Sequence, residues 1–145
     1  VEELQLRPAT MEDSELLLVW RNDPAVRRAS HDQSEIELHA HQMWLRESLE
    51  NPNRKIFIAE MGDVPVGTVR SDYQDGTYEL SWTVAPEARE QGIGKLMVSM
   101  LAAQIEEPIR AEVRIGNVAS VRIAEHVGMA LERIEDGILY FRRGN

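Results

Sequence analysis

The sequence predicts a single α/β or α+β domain, residues 1–145, built on a mixed sheet flanked by helices. Segments with period-two alternation are interleaved with segments whose apolar residues recur at helical spacing. Turn formers punctuate them at short intervals, with no repeat, low-complexity stretch or long linker. The 145 residues are 43% hydrophobic and 28% charged, the size and balance of one globular core.

The elements follow in order. Leu4-Gln5-Leu6-Arg7 alternates like a strand. Thr10-Met11-Glu12-Asp13 reads as a capping-box variant, with Asp in place of Glu or Gln, so a helix should run through Trp20. Asn22-Asp23-Pro24 breaks it, and a short helix is expected from Pro24 to Ala29. Ser34-Glu35-Ile36-Glu37 is a full capping box and predicts a longer helix to about Leu49, burying Ile36, Met43 and Trp44. Asn51-Pro52-Asn53 ends it. Lys55 to Met61 and Val64 to Ser71 read as strands around a Gly62-Asp63 turn. After Asp75-Gly76, Thr77 to Val84 forms another. Ile93, Leu96, Met97, Met100, Leu101 and Ile105 mark an amphipathic helix that Glu106-Glu107-Pro108 stops. A strand follows from Ile109 to Ile115, then a helix from Val118 to Val127. A closing hairpin, Leu131 to Glu135 and Ile138 to Arg142, turns at Asp136-Gly137.

Composition narrows the function classes. The net charge of −9 argues against a general nucleic-acid binder, which carries a basic face. An acidic surface attracts cationic acceptors such as amines, and it also keeps a protein soluble. No apolar run approaches the roughly 18 residues of a membrane span. The acidic start Val1-Glu2-Glu3-Leu4 lacks a signal-peptide pattern. Zero cysteines exclude disulfides, thiolate metal sites and a cysteine acyl-enzyme. A reducing, cytoplasmic setting is the expectation. His39 and His41 stand two apart on a helix and point to different faces, so no metal site is expected.

Two segments carry the chemistry. In Val84-Ala85-Pro86-Glu87-Ala88-Arg89-Glu90-Gln91-Gly92-Ile93-Gly94-Lys95, a strand runs into a Pro turn, then Arg-x-x-Gly-x-Gly opens a helix. Glycines at such a junction let backbone N–H groups approach an anion, and the helix N-terminus adds free N–H groups and partial positive charge. The spacing is neither a Walker loop nor a dinucleotide fingerprint. The second segment, Asn117-Val118-Ala119-Ser120 closing on Val127-Gly128-Met129, places a natural N-cap and a natural helix stop around the next helix.

Together the two motifs, in this order, resemble the GNAT superfamily of acyl-CoA-dependent N-acyltransferases over nearly the whole chain. The resemblance implies a mixed, mostly antiparallel central sheet and acetyl-CoA as co-substrate. The first motif would hold the pyrophosphate, chiefly through backbone N–H groups of Arg89, Glu90, Gln91, Gly92, Ile93, Gly94 and Lys95. A side chain at Gly92 or Gly94 is expected to crowd it, and Arg89 could pair with phosphate bidentately. Lys95 could do the same or only solvate the helix face. Asn117 would contact the pantetheine arm, supported by Ser120. Backbone groups of Trp82, Thr83 and Val84 would hold the pantetheine and polarise the thioester, if the strand splays from its neighbour as in the family.

Amine acylation needs a neutral amine, a stabilised thioester oxygen and a proton for the leaving thiolate. Glu79, on the strand feeding the loop, is the candidate general base; a solvent-facing residue or an ammonium anchor is the alternative. Many family members place a Tyr acid four residues after the Ser position. That position is Ala124 here, so Ser120, Tyr140 or water is left for the role. The lack of this Tyr is similar to the branch that acetylates N-termini of ribosomal proteins.

The early helices should shape the acceptor site. Trp20-Arg21-Asn22-Asp23-Pro24-Ala25-Val26-Arg27 and His41-Gln42-Met43-Trp44 resemble enzymes acting on nucleotide-linked amino sugars and enzymes acting on protein N-termini. Core packing explains both strings as well. The readings are a small-molecule N-acetyltransferase, a peptide or protein N-acetyltransferase, and a non-catalytic CoA-binding module. The partner is a small-molecule or peptide amine, with no nucleic acid or membrane, and the family suggests a homodimer.

Overall fold

A computed structural model describes residues 3–144. The acidic start read at Val1 and Glu2 lies outside the described residues. Seven strands form one sheet: β1 (Leu4–Pro8), β2 (Arg54–Met61), β3 (Val64–Gln74), β4 (Thr77–Val84), β5 (Ile109–Arg114), β6 (Ala130–Glu135) and β7 (Ile138–Arg143). The helices are α1 (Ser14–Asn22), α2 (Pro24–Ala29), α3 (Leu38–Glu50), α4 (Ile93–Ala102) and α5 (Val118–His126). The sheet order is β1-β2-β3-β4-β5-β7-β6, and β4–β5 is the one parallel pair among these strands. The mixed, mostly antiparallel sheet with flanking helices is as expected.

Strand alternation sorts the side chains onto two faces. Val69, Leu80, Ile109, Ala111 and Val113 are buried on one, where Met97, Val98 and Leu101 of α4 complete the core. On the other, α1 and α3 bring Leu17, Trp20 and Leu45 onto Ile56 and Ile58. Thr10 makes the expected box: its hydroxyl accepts from Glu12 N at 3.2 Å and its own N–H donates to Asp13 at 2.8 Å. The box opens a 3₁₀ turn, Met11–Asp13, ahead of α1.

The predicted start of α3 is corrected. The helix begins at Leu38, not after Ser34. Ser34 gives its hydroxyl and its backbone N–H to Asp32 at 2.6 and 3.0 Å, so it caps nothing. The Asn22 amide then pairs with both backbone groups of Ile36, each at 2.8 Å, and holds that residue extended. The buried face is correspondingly His41, Leu45 and Ser48. Met43 and Trp44, expected inside, are 48% and 38% exposed, and Ile36 is half-buried. In α4, Leu96 is exposed and Val98 takes the inward position. The helix ends at Ala102, where Arg143 donates to the Ala102 and Ile105 carbonyls at 3.3 and 3.2 Å.

Candidate active site

The central feature is how little of β4 and β5 pairs. Their register holds only at Tyr78–Ile109 and Glu79–Arg110, after which the strands diverge. Tyr78 N–H donates to Pro108 O at 2.9 Å, so the even-numbered backbone groups of β4 point toward β5. Ala85 N–H, of the other parity, donates to Val66 O on the β3 side at 2.8 Å. The Glu79–Arg110 register is closed by Leu80 N–H donating toward Arg110 O, so the N–H groups beyond it, those of Trp82 and Val84, face the gap where β5 has diverged. Unpaired strand N–H groups beside an opening are donors in want of an acceptor.

One wall of the gap is α5. Asn117 caps it by accepting from Ser120 N–H at 3.2 Å. The Trp82 indole Nε1 donates to Ser120 Oγ at 3.1 Å and ties β4 to α5 across the opening. Ser120 and Asn117 are both half-buried at its edge.

The loop above the gap is Pro86 to Gly92. A 3₁₀ turn, Pro86–Ala88, leads to Glu90 at φ +65° and Gly92 at φ +77°, the N-cap of α4. The first intrahelical bond runs from Leu96 N–H to Gly92 O at 3.2 Å. The N–H groups of Ile93, Gly94 and Lys95 thus open toward the loop, where an anion is favoured. At Gly94 the protein itself leaves no room: a Cβ there would lie 2.5 Å from Ile123 Cδ1 and 3.2 Å from Val84 Cγ2. The packing of α4 on α5 and β4 demands glycine apart from any ligand. At Gly92 a Cβ meets nothing within 4 Å, and the left-handed backbone is what favours glycine. Gln91 and Lys95 are exposed, and Ile93 is buried in the core.

Arg89 has a protein partner that sequence reasoning missed. Its Nη2 lies 2.8 Å from Asp23, whose carboxylate also accepts from Ala25 and Val26 N–H at the start of α2. The Arg89 guanidinium, first, and these N–H bonds hold Asp23 below the usual carboxylate range. At its other end α2 approaches β5: Arg114 donates to Ser30 O at 3.5 Å, and His31 lies 3.5 Å from Glu112. So α2 spans from the loop after β4 to β5.

A family model of the GNAT acetyltransferase domain matches residues 3–130. The chain belongs to the GNAT acetyltransferase family. It is an acetyl-CoA-dependent acetyltransferase. No curated protein sequence matches it significantly. Among solved structures, a domain from Methanocaldococcus jannaschii superposes with a TM-score of 0.87, at 19% identity over 99% of both chains. Spermidine N-acetyltransferase from Vibrio cholerae, in complex with CoA and spermine, gives 0.85 at 15% identity, over 97% of this chain and 94% of that one. Ribosomal-protein-alanine N-acetyltransferase from Brucella melitensis gives 0.80 at 23% identity, over 96% and 98%.

For a GNAT chain, the position of Glu79 is informative. It is the last residue of β4 in register with β5, its carboxylate 3.0 Å from Arg110 Nη2, another partner the sequence did not reveal. Its side chain is on the face opposite α4, with Ser81 and Thr83. Ala124, where many family members carry Tyr, is fully buried, so no side chain from that position reaches the gap. His41 is buried under α1, its ring stacked on Trp44 with centroids 5.8 Å apart. Burial keeps its pKa below the ordinary value. Among the described residues no cluster of His, Asp and Glu is arranged to hold a metal, and no helix is long and apolar enough to cross a membrane.

Proposed function

We propose that this chain transfers an acetyl group to the primary amine of a small acceptor, such as a nucleotide-linked amino sugar, by direct attack in a ternary complex. The observation that carries the reading is the divergence of β4 from β5 immediately beyond Glu79. It leaves strand N–H donors on one side of the gap and a carboxylate on the adjoining sheet face. Acetyl-CoA supplies an activated thioester. The Trp82 and Val84 N–H groups would orient the pantetheine arm and hold the thioester oxygen as it gains charge. The N–H groups at the start of α4, and those of Glu90 to Gly92, would take the pyrophosphate. Asn117 and Ser120 would fix the arm from the α5 side.

Glu79 would take the proton that an ammonium must lose before it attacks, directly or through one water. Arg110 would hold the carboxylate in place without blocking its second oxygen. With Ala124 buried, the proton for the departing thiolate would come from Ser120 or water.

A second reading is N-terminal acetylation of a protein or peptide. The alanine at the usual tyrosine position favours it, together with the likeness to the ribosomal-protein enzyme. The two readings separate in an assay of CoA release with a thiol reagent, free of protein thiol background because the chain has no cysteine. Release with amino sugars or their nucleotides supports the first reading, and release with N-terminal peptides the second. Silence across the panel with acetyl-CoA bound would leave a CoA-binding module.

A further inference from the structure

The sheet face that carries Glu79 has a charge balance opposite to that of the chain. The whole chain has 25 acidic and 16 basic side chains. Strand register places Arg7, Arg54, Arg70, Arg110, Arg114, Arg133 and Arg142 on this one face with Glu60, Asp72, Glu79, Glu112 and Glu135. Here seven arginines stand against five carboxylates.

The carboxylates are also unevenly shared. Asp72 accepts from Arg54 Nε at 2.5 Å through one oxygen and from Arg70 Nε at 3.0 Å through the other. A single negative charge thus serves two guanidinium groups. Arg54 is further committed, donating from Nη1 to Ser48 Oγ on α3 at 3.0 Å. Both guanidiniums lie against the Trp44 ring, 5.7 and 5.6 Å from its centroid, which fixes their planes. Arg70 engages Asp72 through Nε and keeps its two terminal nitrogens for another partner. This explains why Trp44 stands partly exposed on α3 although the helix has an apolar face to bury it in.

Arg70 is diagonal to Glu79 across β3 and β4, since Arg70 faces Ser81 and Asp72 faces Glu79. Diagonal neighbours are roughly 7 Å apart. An acceptor could place its amine at Glu79 and an anionic group at Arg70 within a few bonds of each other. A polyamine such as spermine needs the reverse, several carboxylates and no excess of arginine.

We propose that the acceptor is an amine that also carries a phosphate or carboxylate, bound by the terminal nitrogens of Arg70 on the platform of Trp44, Arg54 and Asp72. The inference rests on the reading of the Glu79 face as the acceptor side. It narrows the substrate class to anionic amines.

The test is calorimetric binding to the CoA-saturated protein of two matched pairs and one polycation. The pairs are glucosamine 6-phosphate with glucosamine, and methionine with methioninamide; the polycation is spermidine. The anionic member of at least one pair should bind tenfold or more tighter than its neutral or cationic partner. Which pair discriminates identifies phosphate or carboxylate. Arg70→Gln should erase the preference without weakening the non-anionic partners, and Arg70→Lys should restore part of it. Loss of packing alone would weaken all ligands together. Equal binding within both pairs, no binding by either anionic member, preference for spermidine, or a preference unchanged in Arg70→Gln would overturn the proposal. Acetylation of the same compounds is read separately. Binding preference without CoA release would contradict the transferase reading and leave the anion site standing. Release with spermidine alone would do the opposite.

Discussion

The two faces of the central sheet are built from different materials. On the face that carries α4 and α5, the candidate site is made of backbone: strand N–H groups freed by divergence, helix N–H groups at α4, and glycines that permit close packing. On the opposite face it is made of charged side chains brought together by register: Arg54, Arg70, Asp72, Glu79 and Arg110. The difference separates two tasks. Under the proposed function, a cofactor shared by a whole family would be met by backbone geometry that many sequences can adopt, and the acceptor by side chains, which can change without disturbing the fold.

The sharpest way to break this division is at Glu79. Glu79→Gln keeps the shape and removes the base. We expect CoA release to fall about a hundredfold or more, with acetyl-CoA affinity unchanged. Retained turnover would remove Glu79 from the proton path and leave the gap as the only functional part of the account.

Gly94→Ala addresses the other face. The new methyl collides with Ile123 Cδ1 at 2.5 Å. Overpacking of this kind costs about 1–3 kcal/mol, read by denaturant unfolding. Adding Ile123→Val should recover part of the loss. Unchanged stability in Gly94→Ala would show that α4 and α5 can separate and that the glycine serves only the ligand.

This contrast also governs what was legible beforehand. Backbone motifs are local in sequence, so the strand–loop–helix around Gly92 and the cap at Asn117 could be read directly. The succession of strands and helices along the chain followed from alternation and spacing. Partners set by register could not be read. Arg110 lies 31 positions from Glu79, and Asp23 lies 66 from Arg89; no periodicity links them. The start of α3 was misread for the same reason, since Asn22 holds Ile36 from 14 residues away. The divergence of β4 from β5 was expected only through the family resemblance, because two strands of ordinary composition give no sign of where their pairing stops.

A smaller effect separates structure from contact at Asn117. Asn117→Ala removes the cap of α5 and should cost about 1 kcal/mol. Asn117→Asp can still accept from Ser120 N–H and should retain that stability. If acetyl-CoA affinity falls in both variants, the side-chain amide itself contacts the pantetheine. If affinity tracks stability, Asn117 is only a cap.

The smallest expected effect lies beneath the acceptor face, at His41. Burial first of all lowers its pKa from 6.5. As pH falls through 6.5, the unfolded chain takes up a proton that the folded protein refuses, so stability declines. The decline ends once the folded imidazole also protonates. Asp13, held below the carboxylate range by Arg7, contributes in a separate window: its stabilisation is present above 3.8 and is lost as pH falls below it. Unfolding at pH 5.0 and 7.5 should differ less in His41→Asn than in the parent. An equal difference would place the titration elsewhere.

The account turns on the unpaired stretch of β4, and amide hydrogen exchange followed by NMR measures it directly. Without ligand, Tyr78 N–H, bonded to Pro108, and Leu80 N–H, the last in the β4–β5 ladder, should exchange slowly, and Trp82 and Val84 N–H rapidly. Saturating CoA should slow Trp82 and Val84 and leave Tyr78 and Leu80 unchanged. Protection of all four before ligand is added, or rapid exchange at Trp82 and Val84 with CoA bound, would contradict the claim that the divergence of β4 from β5 is the cofactor site.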